Sequence, residues 1–239
     1  MAVQYETGHA KNVANLQKLI ERIKTYSNYN PSIDNLKISE VEALYNKSIV
    51  SLNNIKDKRV ANKEAIYKRQ ELYKNLKSKS TRVINLLDIL SLKDGTFSHA
   101  KSLNKLIQGN NKSIKKEDTY SEDETKSISK SRQSYTEVAE NFSKLVQLLE
   151  TINTYIPNTE DLKTENLKIY HKNLVNITTE VNKTEAELKT ELITRNKILY
   201  NKENGLYEIA QNIKKYIKSL FGAKSPQYSN ISRIIFKDF

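Results

Sequence analysis

Shifted by 126 residues, the sequence lays its own apolar positions over one another without a gap. "NLQKLIERI" at 15–23 meets "NFSKLVQLL" at 141–149, and Pro31 meets Pro157. Further along the same register Leu36 falls on Leu162, Val41 on Leu167, Leu44 on Tyr170, Ile55 on Val181, Leu72 on Ile198, Val83 on Ile209 and Leu87 on Ile213. Apolar on apolar at one spacing over so long a run predicts a tandem duplication, and so two copies of one supersecondary unit. The expected division is residues 1–108 for the first copy, 109–134 for a linker and 135–239 for the second.

Within each copy the period is helical. Leu16, Leu19, Ile20 and Ile23, like Phe142, Leu145, Val146 and Leu149, recur at i, i+3, i+4 and i+7, the mark of one buried helix face. "NPSID" and "IPNTED" then supply a turn proline and capping residues, opening a second helix of roughly 40 residues, a rod of about 60 Å at ~1.5 Å per residue. It is expected to end near "YKNLKSKST" in the first copy and at "YNKENGLYE" in the second, where Gly205 would supply a positive φ. A short third helix follows, with Val83, Ile84, Leu86, Leu87, Ile89 and Leu90 in one copy and Ile209, Ile213, Tyr216, Ile217 and Leu220 in the other.

Both copies then carry Gly-x-x-Ser: "GTFSHAKSLNKLI" at 95–107 and "GAKSPQYSNISRII" at 222–235. Gly95 and Gly222 fit a left-handed helix C-cap, Ser98 and Ser225 fit side-chain N-caps of a fourth helix, and Pro226 fits its first position, where the missing N–H costs nothing. The motif is a corner; it lacks the further glycines and the Lys of a phosphate-cradling loop. "GHAKNVANLQKLI", "ENFSKLVQLL", "RNKILY" and "SLFGAKSPQYSNISRIIF" together resemble a family of bacterial tandem helical-repeat proteins over nearly the whole chain. That resemblance implies the helical repeat fold and carries no activity, ligand or site residue with it.

The stretch 109–134 mixes both charges with many Ser and Thr and holds only Ile114, Tyr120 and Ile128 as sizeable apolar groups, which predicts a mobile linker. Two helices per copy bury little surface, so the copies are expected to pack on each other as one elongated, all-α, four-helix-bundle-like body.

Composition narrows the chemistry. With no Cys there is no disulfide and no thiolate site, and the three His, at 9, 99 and 171, are scattered. "ETGH" at 6–9 has the Glu-x-x-His spacing of a di-iron bundle but no second copy to complete it, and no Gly-x-Ser-x-Gly elbow occurs. These features predict a non-enzyme with no cofactor and no metal. No run of ~18 apolar residues and no leader-like N-terminus occur, and the chain is expected to be cytoplasmic.

Charge is uneven: residues 1–120 carry 22 Lys and Arg against 12 Asp and Glu, residues 121–239 only 18 against 16. The densest stretch holds Lys56, Lys58, Arg59, Lys63, Lys68, Lys74, Lys77, Lys79 and Arg82, with Tyr67 and Tyr73 interleaved, the residue types of a phosphate-backbone surface. Arg69 and Arg195 share a register and fall on the apolar stripe of the long helices. They read as structural, their stems packed and their heads bonded to carboxylates, carbonyls or tyrosine hydroxyls, with a pair of ligand-binding guanidinium groups as the alternative. The expected function is a helical scaffold that binds a protein or other acidic partner. A nucleic acid held by the basic face is the second reading. A membrane surface met by Ile213, Tyr216, Ile217, Leu220 and Phe221 of "IKKYIKSLF" is the third.

Overall fold

Scarce Gly and Pro and a vocabulary of Lys, Glu, Asn, Leu and Ile leave the backbone little alternative to helix. The computed structural model describes residues 7–109 and 134–239, and within them every regular element is helical. In chain order these are α1 (Thr7–Lys24), a 3-10 turn (Asp34–Leu36), α2 (Ile38–Asp88), α3 (Asp94–Gln108), α4 (Tyr135–Glu150), a second 3-10 turn (Glu160–Leu162), α5 (Thr164–Tyr200), α6 (Leu206–Phe221) and α7 (Pro226–Ser232). Most of the expected linker, 110–133, lies outside the described residues.

The turn after α1 and the turn after α4 are built alike. Tyr29 donates its hydroxyl to the Leu36 carbonyl at 2.6 Å and Tyr155 donates to Leu162 at 2.8 Å, both buried and both seven residues apart. Burial pushes the Tyr155 phenol up to about 12 and the Tyr29 phenol higher still, so both remain protonated donors. Lys24 pairs with Glu42 at 2.6 Å, and at the corresponding places Glu150 pairs with Lys168, the same bridge with its charges exchanged. Ser134 caps α4 reciprocally, accepting from the Glu137 N–H at 3.2 Å and donating to its carboxylate at 3.1 Å.

The chain forms two compact units, and they are not the two sequence halves. One comprises 1–62 with 184–239, the other 63–183, so α2 and α5 each contribute to both. In the first unit Leu16, Leu19 and Ile23 of α1 and Val41 of α2 share a core with Leu199, Leu206, Ile213 and Ile217 from α5 and α6, closed by Ile231, Ile234 and Phe236. In the second, Leu76, Val83 and Leu87 of α2 and Leu103 and Ile107 of α3 bury against Phe142, Leu145 and Leu149 of α4 and Leu167 and Leu174 of α5.

Three local expectations are corrected. The long helix of the first half does not stop at 73–81: α2 runs for 51 residues, whereas α5 has 37. Leu76, Val83 and Leu87 keep its buried stripe going, and the Ser80 and Thr81 hydroxyls turn back onto the Lys77 carbonyl inside the helix. Because α2 extends to Asp88, the reversal falls on Ser91, at φ 49°, and α3 begins at Asp94. Gly95 and Ser98 therefore lie inside the first turns of α3 and cap nothing. Gly205 has φ −72° and is the N-cap of α6; what requires glycine is space, since a Cβ there would sit 2.4 Å from the Asn201 nitrogen and 2.5 Å from its carbonyl oxygen. At the second corner Gly222 takes φ 89°, Ser225 accepts from the Tyr228 N–H at 3.1 Å, and Pro226 opens α7.

Since each core draws on both halves, residues 1–110 alone should lack half of each. We expect that fragment to be weakly helical or self-associated by circular dichroism and size exclusion, and to regain a cooperative melt on mixing with 134–239. A helical monomer of 1–110 with its own sharp transition would refute the shared cores.

Candidate functional site

Along α2 the basic residues divide according to whether a carboxylate reaches them. In the first unit Lys56 is exposed, and Lys58 bonds Glu187 at 2.8 Å, which holds its ammonium above the usual lysine range. Arg59, beside them, is half-buried. In the second unit Asp161, from the 3-10 turn before α5, accepts from Lys79 at 2.6 Å and from both terminal nitrogens of Arg82 at 2.7 and 3.1 Å. Hydrogen bonds from Arg82 and Lys79 hold the Asp161 carboxyl below the ordinary carboxylate range. Lys77 donates to the Gln108 carbonyl at 2.9 Å.

Lys63, Lys68 and Lys74 are exposed and meet no carboxylate among the described residues. Lys63, Tyr67, Gln70, Lys74 and Lys77 recur at i, i+4, i+7, i+11 and i+14, one stripe of α2. Lys68 points to another side of the helix. Tyr67 is 56 % exposed, with the Lys63 ammonium 5.5 Å from its ring centroid. The stripe ends in an open groove of about 370 Å³ lined by Gln70, Tyr73, Lys74, Lys77, Tyr135 and Val138.

The two register-matched arginines differ. Arg195 is buried, 4 % exposed, and donates through Nε and Nη2 to Asn196 Oδ1 at 3.1 and 2.8 Å. Arg69 is half-buried and lays its guanidinium 4.0 Å from the centroid of Tyr135, while its buried Nε has no hydrogen-bond partner. Its guanidinium stacks on that ring. Tyr73 meets the same ring edge-on at 4.6 Å and donates to the Tyr135 carbonyl at 2.9 Å. Burial raises the Tyr73 phenol, with the Thr178 hydrogen bond and the Arg69 charge pulling the other way.

Sequence reasoning missed a second locus, on α1. The segment after α7 alternates buried Ile234 and Phe236 with exposed Ile235 and Lys237, and α1 receives it through side-chain amides. Asn15 donates to the Ile235 carbonyl at 2.8 Å, while Asn12 donates to the Lys237 carbonyl at 2.6 Å and accepts the Lys237 N–H at 3.0 Å. Gly8 leaves room for Phe239, whose ring a Cβ there would touch at 2.3 Å, and His9 packs on that ring at 4.7 Å while its Nδ1 lies 2.6 Å from the Tyr200 hydroxyl. Lys214 bonds the Ile234 carbonyl, and burial lowers its ammonium below the usual lysine value. The signal in the sequence was two asparagines inside an apolar helical stripe, both buried here. Beside this strap lies an open groove of about 260 Å³, lined by Lys11, Asn15, Lys18, Arg22, Arg233 and Ile235 among others. A larger groove of about 560 Å³ mixes Glu40 with Lys47, Lys197 and asparagines.

Among the described residues no three His, Asp or Glu converge as metal ligands; Glu6 of the "ETGH" motif lies outside them. No helix there is long and apolar enough to cross a membrane. The chain matches no protein-family model, and comparison with the curated proteins and with the solved structures returns no significant match.

The Asp161 cluster yields a pH signature. Its folded pKa lies below the unfolded value, so its contribution is present above that value and lost as pH falls through the folded pKa. The carboxylate is 39 % exposed, so solvent screening limits the contribution, and Asp161→Asn should cost about 1 kcal/mol at neutral pH. In urea melts the gap between wild type and variant should close by about pH 2; equal stability at both pH values would show the cluster to be energetically silent.

Proposed function

We propose that this chain is a non-enzymatic helical scaffold that binds a protein partner through its surface, and that it arose by tandem duplication of one helical unit. The observation that supports binding over turnover is the character of its grooves. They are open, and the one beside α1 is lined by four cations and no carboxylate. Small-molecule sites are typically concave, largely apolar clefts with a few converging polar groups; a cation-lined open surface suits an extended anionic macromolecule. The duplication is supported by the paired Tyr29–Leu36 and Tyr155–Leu162 bonds and by the charge-exchanged Lys24–Glu42 and Glu150–Lys168 bridges, all at the 126-residue shift. Affinity capture with the full chain, cross-linking and mass spectrometry should recover a protein in stoichiometric amount that is released by salt. Recovery of nucleic acid or lipid alone would sink this reading.

The α2 stripe favours a second reading, binding of a nucleic-acid backbone, because an exposed Tyr67 ring lies among Lys63, Lys74 and Lys77. If that face grips B-DNA, log affinity against log salt should fall with a slope of about −0.9 per phosphate contact. Lys56, Lys63, Lys74 and Lys77 changed to Gln should flatten that slope, and Asp161→Asn, which frees Lys79 and Arg82, should steepen it. No retention of DNA or RNA at low salt would end this reading. Of the apolar face the membrane reading would use, Ile213 and Ile217 are fully buried, Tyr216 and Phe221 pack against the same core, and Leu220 is exposed.

A further inference from the structure

We infer that the groove beside α1 takes an extended acidic segment of the partner protein, with apolar residues among its carboxylates. This rests on the protein-binding reading and names its surface. Lys11, Asn15, Lys18 and Arg22 recur at i, i+4, i+7 and i+11, so they form one stripe of α1, joined in the groove by Arg233 at the C-cap of α7. Lys11, Lys18 and Arg233 meet no carboxylate among the described residues, and Arg22 gives one N–H to the Asn230 carbonyl. The nearest acid on α1, Glu21, is occupied with Lys24 at 3.3 Å. At ~1.5 Å per residue the stripe from Lys11 to Arg22 spans about 16 Å, the length of about five residues of extended chain. Side chains on one face of such a chain recur about every 7 Å, against roughly 6 Å from Lys18 to Arg22 and roughly 10 Å from Lys11 to Lys18.

Two observations favour a peptide over a nucleic acid here. No aromatic ring lines the groove, so there is no platform for a base, and Ile235, 66 % exposed, offers an apolar contact at its edge. The second unit supplies an internal comparison. Its groove of about 280 Å³, lined by Leu106, Glu137, Glu140, Asn141 and Lys144, contains the residues that the 126-residue shift lays on Lys11, Asn15 and Lys18. There Glu137 stands for Lys11, while Asn141 and Lys144 match Asn15 and Lys18; Leu148 and the buried Ile107, which the shift lays on Arg22 and Arg233, lie outside that lining. A sequence merely rich in lysine would load both grooves alike. Of these two grooves, the one on α1 is lined by no carboxylate and the other by Glu137 and Glu140.

The test uses the full chain and a fluorescent ten-residue peptide of alternating Glu and Leu, read by anisotropy at low and high salt. A Lys-Leu peptide and a ten-nucleotide oligo-dT serve as comparisons. The Glu-Leu peptide should bind in a salt-sensitive manner, and Lys11→Gln, Lys18→Gln and Arg233→Gln combined should weaken it by about tenfold or more. Arg22 is left in place because it holds Asn230. Lys11→Arg with Lys18→Arg should retain binding, and thermal melts should confirm that each variant folds. Gln at Lys63, Lys74 and Lys77 should leave peptide affinity unchanged. Absence of peptide binding, equal affinity in the α1 variant, loss through the α2 variant instead, or tighter binding of oligo-dT at the α1 groove would each overturn the inference. Repeating the partner capture with the α1 variant separates the two claims. A protein captured equally well by it leaves the scaffold reading standing and removes this groove from it, whereas no protein captured by any form removes the scaffold reading itself.

Discussion

Burial of α1 and α4 is the contact on which the rest of the molecule depends, because neither helix finds most of its apolar partners in its own half of the sequence. α1 packs on α6, with Leu16, Leu19 and Ile23 against residues contributed from 198 onward, and α4 lies along α3, with Phe142 and Leu145 against side chains contributed before residue 108. Each apolar side chain so buried stabilises by roughly 1.5–3 kcal/mol, and these contributions add only when both halves are present. The compact units are consequently composites, while the turns that join their helices remain products of one half each.

The polar groups follow from that arrangement. Once the strap 234–236 lies against α1, its backbone needs partners, and Asn12 and Asn15 provide them from inside an apolar stripe. A buried polar group without such a partner would cost ~1–3 kcal/mol, which is reason enough for amides to interrupt leucines there. Charges sort in the same way. The turn before α5 brings Asp161 to Lys79 and Arg82 and neutralises one end of the basic run on α2. Among the described residues no carboxylate is carried to Lys11, Lys18 or Arg233, and no acid lines their groove. The bridge between Lys24 and Glu42 has a counterpart with exchanged signs in Glu150 and Lys168 at the 126-residue shift, whereas at that shift Lys11 falls on Glu137.

How far the local letters carry depends on their neighbours. Gly222, Ser225 and Pro226 make a corner because a helix ends immediately before them. Gly95 and Ser98 carry the same spacing and lie within a helix, because α2 runs on to Asp88 and the reversal falls on Ser91. No breaker stood at 73–81 to say otherwise. Arg69 and Arg195 share a register, yet one stacks on Tyr135 of α4 while the other bonds Asn196, its neighbour on α5. The α1 groove was not legible at all: Lys11, Lys18 and Arg22 gain meaning only when Arg233 and Ile235 arrive beside them.

The sequence by itself determined that the chain is helical, where most helices begin and which side of each is apolar. These follow from 3.6-residue periodicity, capping residues and breakers, which act over a few residues of backbone. The tertiary structure alone decided which half completes which core, where α2 ends, and which cations meet a carboxylate and which stay exposed. Those outcomes depend on contacts between residues tens to hundreds of positions apart in the sequence, and a contact at that distance leaves no periodic trace in the order of the amino acids.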